Sequence, residues 1–240
     1  MTLGVSDLCR QLRLAYIGDA LAQKANPELS QLVAGLLQSE IDGRQRMKLN
    51  RLIHKADFPQ IKTFEGYTFE TVTFPGSVTK ETLMSLSWIQ QHENLLMLGA
   101  VGTGKTHLAI SLGVEACRRG HIVRFFRVAD LVSTLQQKHA DGTLNRFRRE
   151  LLKAELVILD ELGYVPFHQT GSELLFHVIA DCYERQSVVV TSNLEFKQWS
   201  SIFGDTKLTA ALVDRLVHHA HILSFSGESY RLRNALGIQN

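Results

Sequence analysis

The octapeptide Gly99-Ala100-Val101-Gly102-Thr103-Gly104-Lys105-Thr106 satisfies the pattern G-x-x-x-x-G-K-[ST]. It stands between an apolar run, NLLMLG, and a segment of helical periodicity from about Lys105 to Arg119. Glycines at these places let backbone N–H groups wrap phosphate oxygens, and a helix opening at Lys105 turns its positive dipole end toward them. Lys105 adds a movable charge for β and γ phosphates, and the Thr106 hydroxyl is a ligand for Mg²⁺. A random chain of this length matches the pattern about once in a hundred times at average residue frequencies. The plainer alternative is a glycine turn joining strand to helix, and the position between a strand and a helix weighs against it.

The rest of the chain supplies an α/β frame for such a loop. Residues 1–56 carry apolar residues at three-and-four spacing, in LCRQLRLAYIGDALAQKA and again in LSQLVAGLLQSEIDGRQRMKLNRLIHKA, which predicts an all-α region. Asp57-Phe58-Pro59 breaks that pattern, so the expected division is a helical region over 1–57 and a second domain over 58–240. Residues 58–80 are rich in aromatics and Thr and read as a connector packed against the domain that follows. Next come a helix over about 80–92, the NLLMLG strand, the helix to Arg119, and a strand over 122–126. Helical ADLVSTLQQKHA, a further helix through Lys153, a strand over 156–160, a helix over 171–185 and a strand over 187–192 follow. Helical LTAALVDRLVHHA and a short strand HILSF complete the pattern. Short, nearly all-apolar strands alternating with helices predict a three-layer αβα domain around a parallel sheet.

Two strand ends add chemistry to the loop. Leu156-Val157-Ile158-Leu159-Asp160-Glu161 sets a carboxylate at the end of a buried strand, 55 residues after Lys105 (160 minus 105). Asp160 is placed to hold Mg²⁺ with Thr106, and Glu161 to orient and deprotonate an attacking water, a pairing that favours hydrolysis over transfer to a bound acceptor. Val188-Val189-Val190-Thr191-Ser192-Asn193 ends a third strand. If that strand lies between those of the loop and of Asp160, Asn193 projects toward a γ-phosphate; otherwise it is a turn residue.

Composition narrows the partners less than the motifs do. The 240 residues suit one large α/β domain, or a medium one with an appendage, and 45% hydrophobic with 21% charged residues is ordinary globular usage. Three scattered cysteines, Cys9, Cys117 and Cys182, lack disulfide or zinc spacing and fit a reducing cytosol. No signal peptide or apolar stretch of about 18 residues is present, so a cytoplasmic protein without membrane contact is expected. The net charge of +2 does not announce a nucleic-acid binder, but it is unevenly spread: residues 43–56 hold Arg44, Arg46, Lys48, Arg51 and Lys55 and no acid.

Several blocks beyond the general nucleotide motifs resemble the IstB-like ATP-binding proteins. These are ADFPQIKTFEGYTFE (56–70), ELGYVPF (161–167), LLFHVIADCYER (174–185), the FKQW segment ending at Trp199, LVDRLVHHA (212–220) and GESYRLR (227–233). That family consists of AAA+ ATPases that assist transposition of insertion sequences and is similar to DnaC helicase loaders. The resemblance implies an AAA+ fold, ATP and Mg²⁺, a homo-oligomer with ATP at its subunit interfaces, duplex DNA, and a cognate transposase. By the same analogy Arg215 is an arginine finger reaching a neighbouring subunit's γ-phosphate, and Arg231 a second sensor. Only 25 residues follow Arg215 (240 minus 215), too few for the usual helical lid, so no full lid is expected.

With the resemblance, the cationic runs read as DNA contacts. Residues 44, 48, 51 and 55 share one helix face, and Arg146, Arg148 and Arg149 lie where initiator-like AAA+ proteins line a central channel. Without it, a solvated helix face is the default. No base-reading helix is evident, so binding through phosphates is expected. His218, His219 and His221 straddle a helix end without a matching carboxylate cluster and read as packing or capping residues. Two other functions share the motifs: a DnaC-like loader of a replicative helicase, and a small-molecule P-loop kinase. A GTPase is disfavoured, because Thr206-Lys207-Leu208-Thr209 lacks the Asp of a guanine-reading motif.

Overall fold

Apolar residues at helical spacing form the first three helices: α1 (Val5–Leu12), α2 (Ala15–Ala22) and α3 (Pro27–Ala56). The computed structural model describes residues 4–23, 26–76 and 78–230. Leu8, Cys9 and Leu12 of α1 share a small core with Leu37 and Ile41 of α3. The chain divides into two compact units, 1–51 and 52–240. The last turn of α3 thus belongs to the second unit, a few residues before the break at Asp57, whose φ of 62° ends the helix.

A two-residue strand, β1 (Val72–Thr73), opens the larger unit, followed by α4 (Lys80–Ser85) and α5 (Ser87–Gln90). One helix was expected over 80–92; Leu86 divides it, with φ 59°. The Ser85 hydroxyl donates to the Thr82 carbonyl and accepts from the Ser87 N–H, a local alternative to the helical ladder. The turn lets the buried Trp88 ring donate to the Leu83 carbonyl at 3.1 Å. Next in order are β2 (Asn94–Gly99), α6 (Lys105–Arg118), β3 (Val123–Arg127), α7 (Val128–Ala140), α8 (Leu144–Leu151) and β4 (Leu156–Leu162). They are followed by α9 (Gln169–Cys182), β5 (Ser187–Ser192), a 3₁₀ turn at Phe196–Gln198, α10 (Ser200–Phe203), α11 (Thr206–Val217) and β6 (Ala220–Phe225).

The six strands lie in the order β1-β6-β2-β5-β4-β3. All neighbours are parallel except β1, which pairs antiparallel with β6, so the sheet is mixed at one edge where an all-parallel sheet was expected. Two residues without apolar alternation leave no strand signature in sequence, which explains the difference. Side chains alternate across the sheet. Leu96, Val157, Leu159, Val188 and Val190 join one core with α7, α9 and α11. The opposite face takes α6, where Gly113 sits so close to Ile158 and Phe58 that a Cβ would meet them at 2.8 Å. Helices thus cover both faces and leave the strand C-terminal ends as the open edge, where ligands of such sheets bind. Among the described residues no helix is long and apolar enough to cross a membrane. Arg231, and with it the question of a lid, lies outside the described residues.

Candidate nucleotide site

The loop between β2 and α6 is shaped by its glycines. Gly99 has φ 145°, and a Cβ there would fall 2.1 Å from the Phe225 carbonyl oxygen of β6. Gly102, with φ 80°, leaves room for Ser229, while the Tyr230 N–H donates to the Gly102 carbonyl at 3.0 Å. The chain beyond β6 is thereby tied to the loop. Gly104 precedes α6 with no side-chain cap, so the first N–H groups of a 14-residue helix face the loop as anion donors.

Lys105 is buried, and its ammonium donates to the Gly99 and Ala100 carbonyls at 2.7 and 2.6 Å. Burial lowers its pKa to about 8, opposed by the charge of Asp160. The Thr106 hydroxyl donates to Asp160 Oδ1 at 2.9 Å, bringing together the two groups expected to hold Mg²⁺. Asp160 is 1% exposed, and both side chains offer hard oxygen donors, the chemistry Mg²⁺ requires.

Thr191 completes this arrangement and was not singled out from the sequence. Its hydroxyl donates to Asp160 Oδ1 at 2.6 Å and accepts from the Glu161 N–H at 2.9 Å. It therefore fixes the carboxylate and the backbone of the next residue together. Glu161 lies half-exposed at a register irregularity between Leu159 and Leu162, with φ 62°. A polar residue inside the apolar run VVVTSN was the available signal. β5 does lie between β2 and β4, the condition set for Asn193. Asn193 Oδ1 is buried without a hydrogen-bond partner among the described residues.

A cavity of about 350 Å³ adjoins the loop, lined by Tyr67, Thr68, Gly102, Lys105, Ile110 and Tyr230 among others. The connector thus forms one wall of the cavity as well as packing. Tyr67 lies against Gly104 and His107, and His107 Nε2 is 2.8 Å from the Thr63 carbonyl oxygen. Burial raises the Tyr67 phenol well above its usual value, and its hydroxyl has no partner among the described residues. A larger hollow of about 680 Å³ runs along α11 beside Phe196, Val213 and Val217, and none of the loop residues line it.

Arg215 is not among the residues lining the loop cavity. It is half-buried on α11, its guanidinium 4.9 Å above the Phe176 ring and donating to the Ala211 carbonyl at 2.9 Å. Arg44, Arg46, Lys48, Arg51 and Lys55 are all exposed on α3, with Arg44 paired to Glu40 at 2.7 Å. On α8, Arg146 and Arg149 are exposed, whereas Arg148 makes a two-pronged bridge to Asp181 of α9 at 2.6 and 2.7 Å. The histidines need one correction. His221 pairs with Glu93 at 2.9 Å, but His218 and His219 do have a carboxylate beside them, Glu184, brought from the end of α9 by the fold.

Strand order, loop geometry and the Thr106–Asp160 pair define a P-loop nucleotide-binding protein of the AAA+ type. The chain belongs to the family of IstB-like ATP binding proteins, whose sequence profile matches residues 9–237. It is 37% identical over 235 residues to the ATP-binding protein of insertion sequence IS5376 from Geobacillus stearothermophilus, covering 95% of this chain and 94% of that one. Its identity to the IS21 ATP-binding protein of Pseudomonas aeruginosa is 36% over 223 residues, covering 91% and 83%. Among solved structures it is similar to the DnaC helicase loader (TM-score 0.53, 19% identity, 68% of this chain and 96% of that chain). It is also similar to AMPPCP-bound DnaA from Aquifex aeolicus (TM-score 0.55, 22% identity, 76% and 56%).

Proposed function

We propose that the chain is a cytoplasmic ATPase that assembles on duplex DNA and assists the transposase of an insertion sequence. The observation carrying hydrolysis is the Thr106–Asp160–Thr191 cluster beside Lys105. Bound Mg²⁺ would supply charge neutralisation between phosphate oxygens, held by the Thr106 hydroxyl and the Asp160 carboxylate. Lys105 leaves the loop carbonyls for the phosphates. Glu161 takes a proton from the attacking water, and the buried Asn193 Oδ1 accepts the other hydrogen bond of that water. Arg215 acts in trans, its stack on Phe176 holding it ready at the flank of the domain for a neighbour's γ-phosphate.

DNA is engaged through phosphates by Arg44, Arg46, Lys48, Arg51 and Lys55, with Arg146 and Arg149 as a second cationic pair. Arg148 serves instead as the clamp between α8 and α9. The insertion-sequence relatives support the transposase partner. The likeness to a helicase loader sustains a second reading, in which the partner is a replicative helicase. Capture of purified transposase against purified helicase separates them. Release of phosphate from ATP with duplex DNA and no acceptor tests the reaction itself; turnover that requires a small-molecule acceptor would replace hydrolysis with a kinase.

A further inference from the structure

The two histidines excluded from metal chemistry in the sequence acquire their missing ligand through the fold. α9 ends at Cys182 and α11 at Val217, and the residues just beyond these ends meet at the surface. One ligand atom from each of Glu184, His218 and His219 lies within 4.8 Å of the others. We propose that Glu184, His218 and His219 form a binding site for a transition-metal dication of the zinc class, separate from the Mg²⁺ ligands of the nucleotide site.

Three features support a built site. Glu184 sits in the left-handed region with φ 58°, at the third position of a type II turn after Tyr183 (φ −52°, ψ 127°), where Gly is the ordinary occupant. A side chain there costs about 1 kcal/mol, and this one carries its carboxylate to the histidines. Next, the Tyr183 hydroxyl is 2.7 Å from His218 Nδ1. A partner on one ring nitrogen of a histidine leaves the other for a metal, the arrangement by which an outer group selects the ligating nitrogen. Finally, both ligand-bearing turns are anchored. The Asn94 N–H donates to the His219 carbonyl at 2.7 Å and Asn94 Nδ2 to the Leu216 carbonyl at 3.1 Å. The Arg185 and Gln186 N–H groups both donate to the Cys182 carbonyl, at 3.0 and 2.9 Å.

Two imidazoles and one carboxylate favour Zn²⁺, Co²⁺, Ni²⁺ or Cu²⁺ over Mg²⁺, which prefers oxygen alone. Bonds of about 2.0–2.2 Å draw ligand atoms closer together than 4.8 Å, so binding would pull these three exposed side chains inward. Three protein ligands leave a coordination position for water or a group from a partner. The ion would tie the ends of α9 and α11 together beside Arg215.

The test is titration of the metal-free full chain with CoCl₂, followed by visible absorption, and with ZnCl₂ by calorimetry. Excess Mg²⁺ is present throughout to saturate hard-oxygen sites. One equivalent should bind with a dissociation constant below about 10 µM. Glu184→Gln, His218→Ala and His219→Ala should each weaken binding at least about tenfold, and His221→Ala should not. Absence of a saturable Co²⁺ band in the wild type, or an isotherm unchanged by Glu184→Gln and by the two histidine substitutions, overturns the proposal. Since no ATP is involved, the outcome is independent of the nucleotide chemistry.

Discussion

Lys105 shows how one residue couples loop structure to ligand charge. Burial depresses its pKa to about 8 from 10.5, so between those values the unfolded chain holds the extra proton and stability rises with pH through that window. Nucleotide binding has the opposite sign, because the phosphates select the ammonium form. ATP affinity should therefore hold up to about pH 8 and weaken about tenfold by pH 9, whereas Lys105→Arg should flatten the profile; equilibrium titration at several pH values measures both. Thr191 carries a second prediction. Thr191→Val strips a buried carboxylate and a backbone N–H of one partner, costing about 1–3 kcal/mol and slowing phosphate release, while Thr191→Ser restores both. Thermal unfolding and turnover together check this. The site was legible where residue spacing encodes chemistry, as in the glycine loop and Asp160. Thr191, Tyr67 and Glu184 were not legible, because each acts through a neighbour distant in sequence.

At the scale of elements, apolar runs identified five of the six strands, since a strand buried on both faces needs a nearly continuous apolar sequence. The break at Leu86 depended on serine hydroxyls competing for backbone groups, and the β1 edge on two residues finding β6, neither of which periodicity registers. The cationic helices divide by the same logic of partners. Arg148→Ala should lower stability by about 1–2 kcal/mol with little change in DNA affinity, because its guanidinium is engaged by Asp181. Replacing Arg44, Lys48 and Arg51 together by Ala should leave the melting temperature nearly unchanged. It should also reduce the slope of log affinity against log salt by up to about 2.7, from about 0.9 per phosphate contact. Denaturation and salt-dependent DNA titrations read the two effects separately.

For the whole molecule, the nucleotide chemistry is proposed to be completed only between subunits. The loop, Asp160 and Asn193 come from one sheet edge, while Arg215 rests on Phe176 and outside the loop cavity of its own chain. Arg215→Ala protein mixed with Lys105→Ala protein should therefore recover part of the lost hydrolysis, since a mixed interface joins an intact loop to an intact finger. The most direct test of the account is the steady-state rate of phosphate release per subunit as protein concentration is raised, with ATP, Mg²⁺ and saturating duplex DNA. Specific activity should climb with concentration as subunits assemble and be abolished by Lys105→Ala. A rate per subunit that is independent of concentration, or one no higher than that of the Lys105→Ala protein, would contradict it.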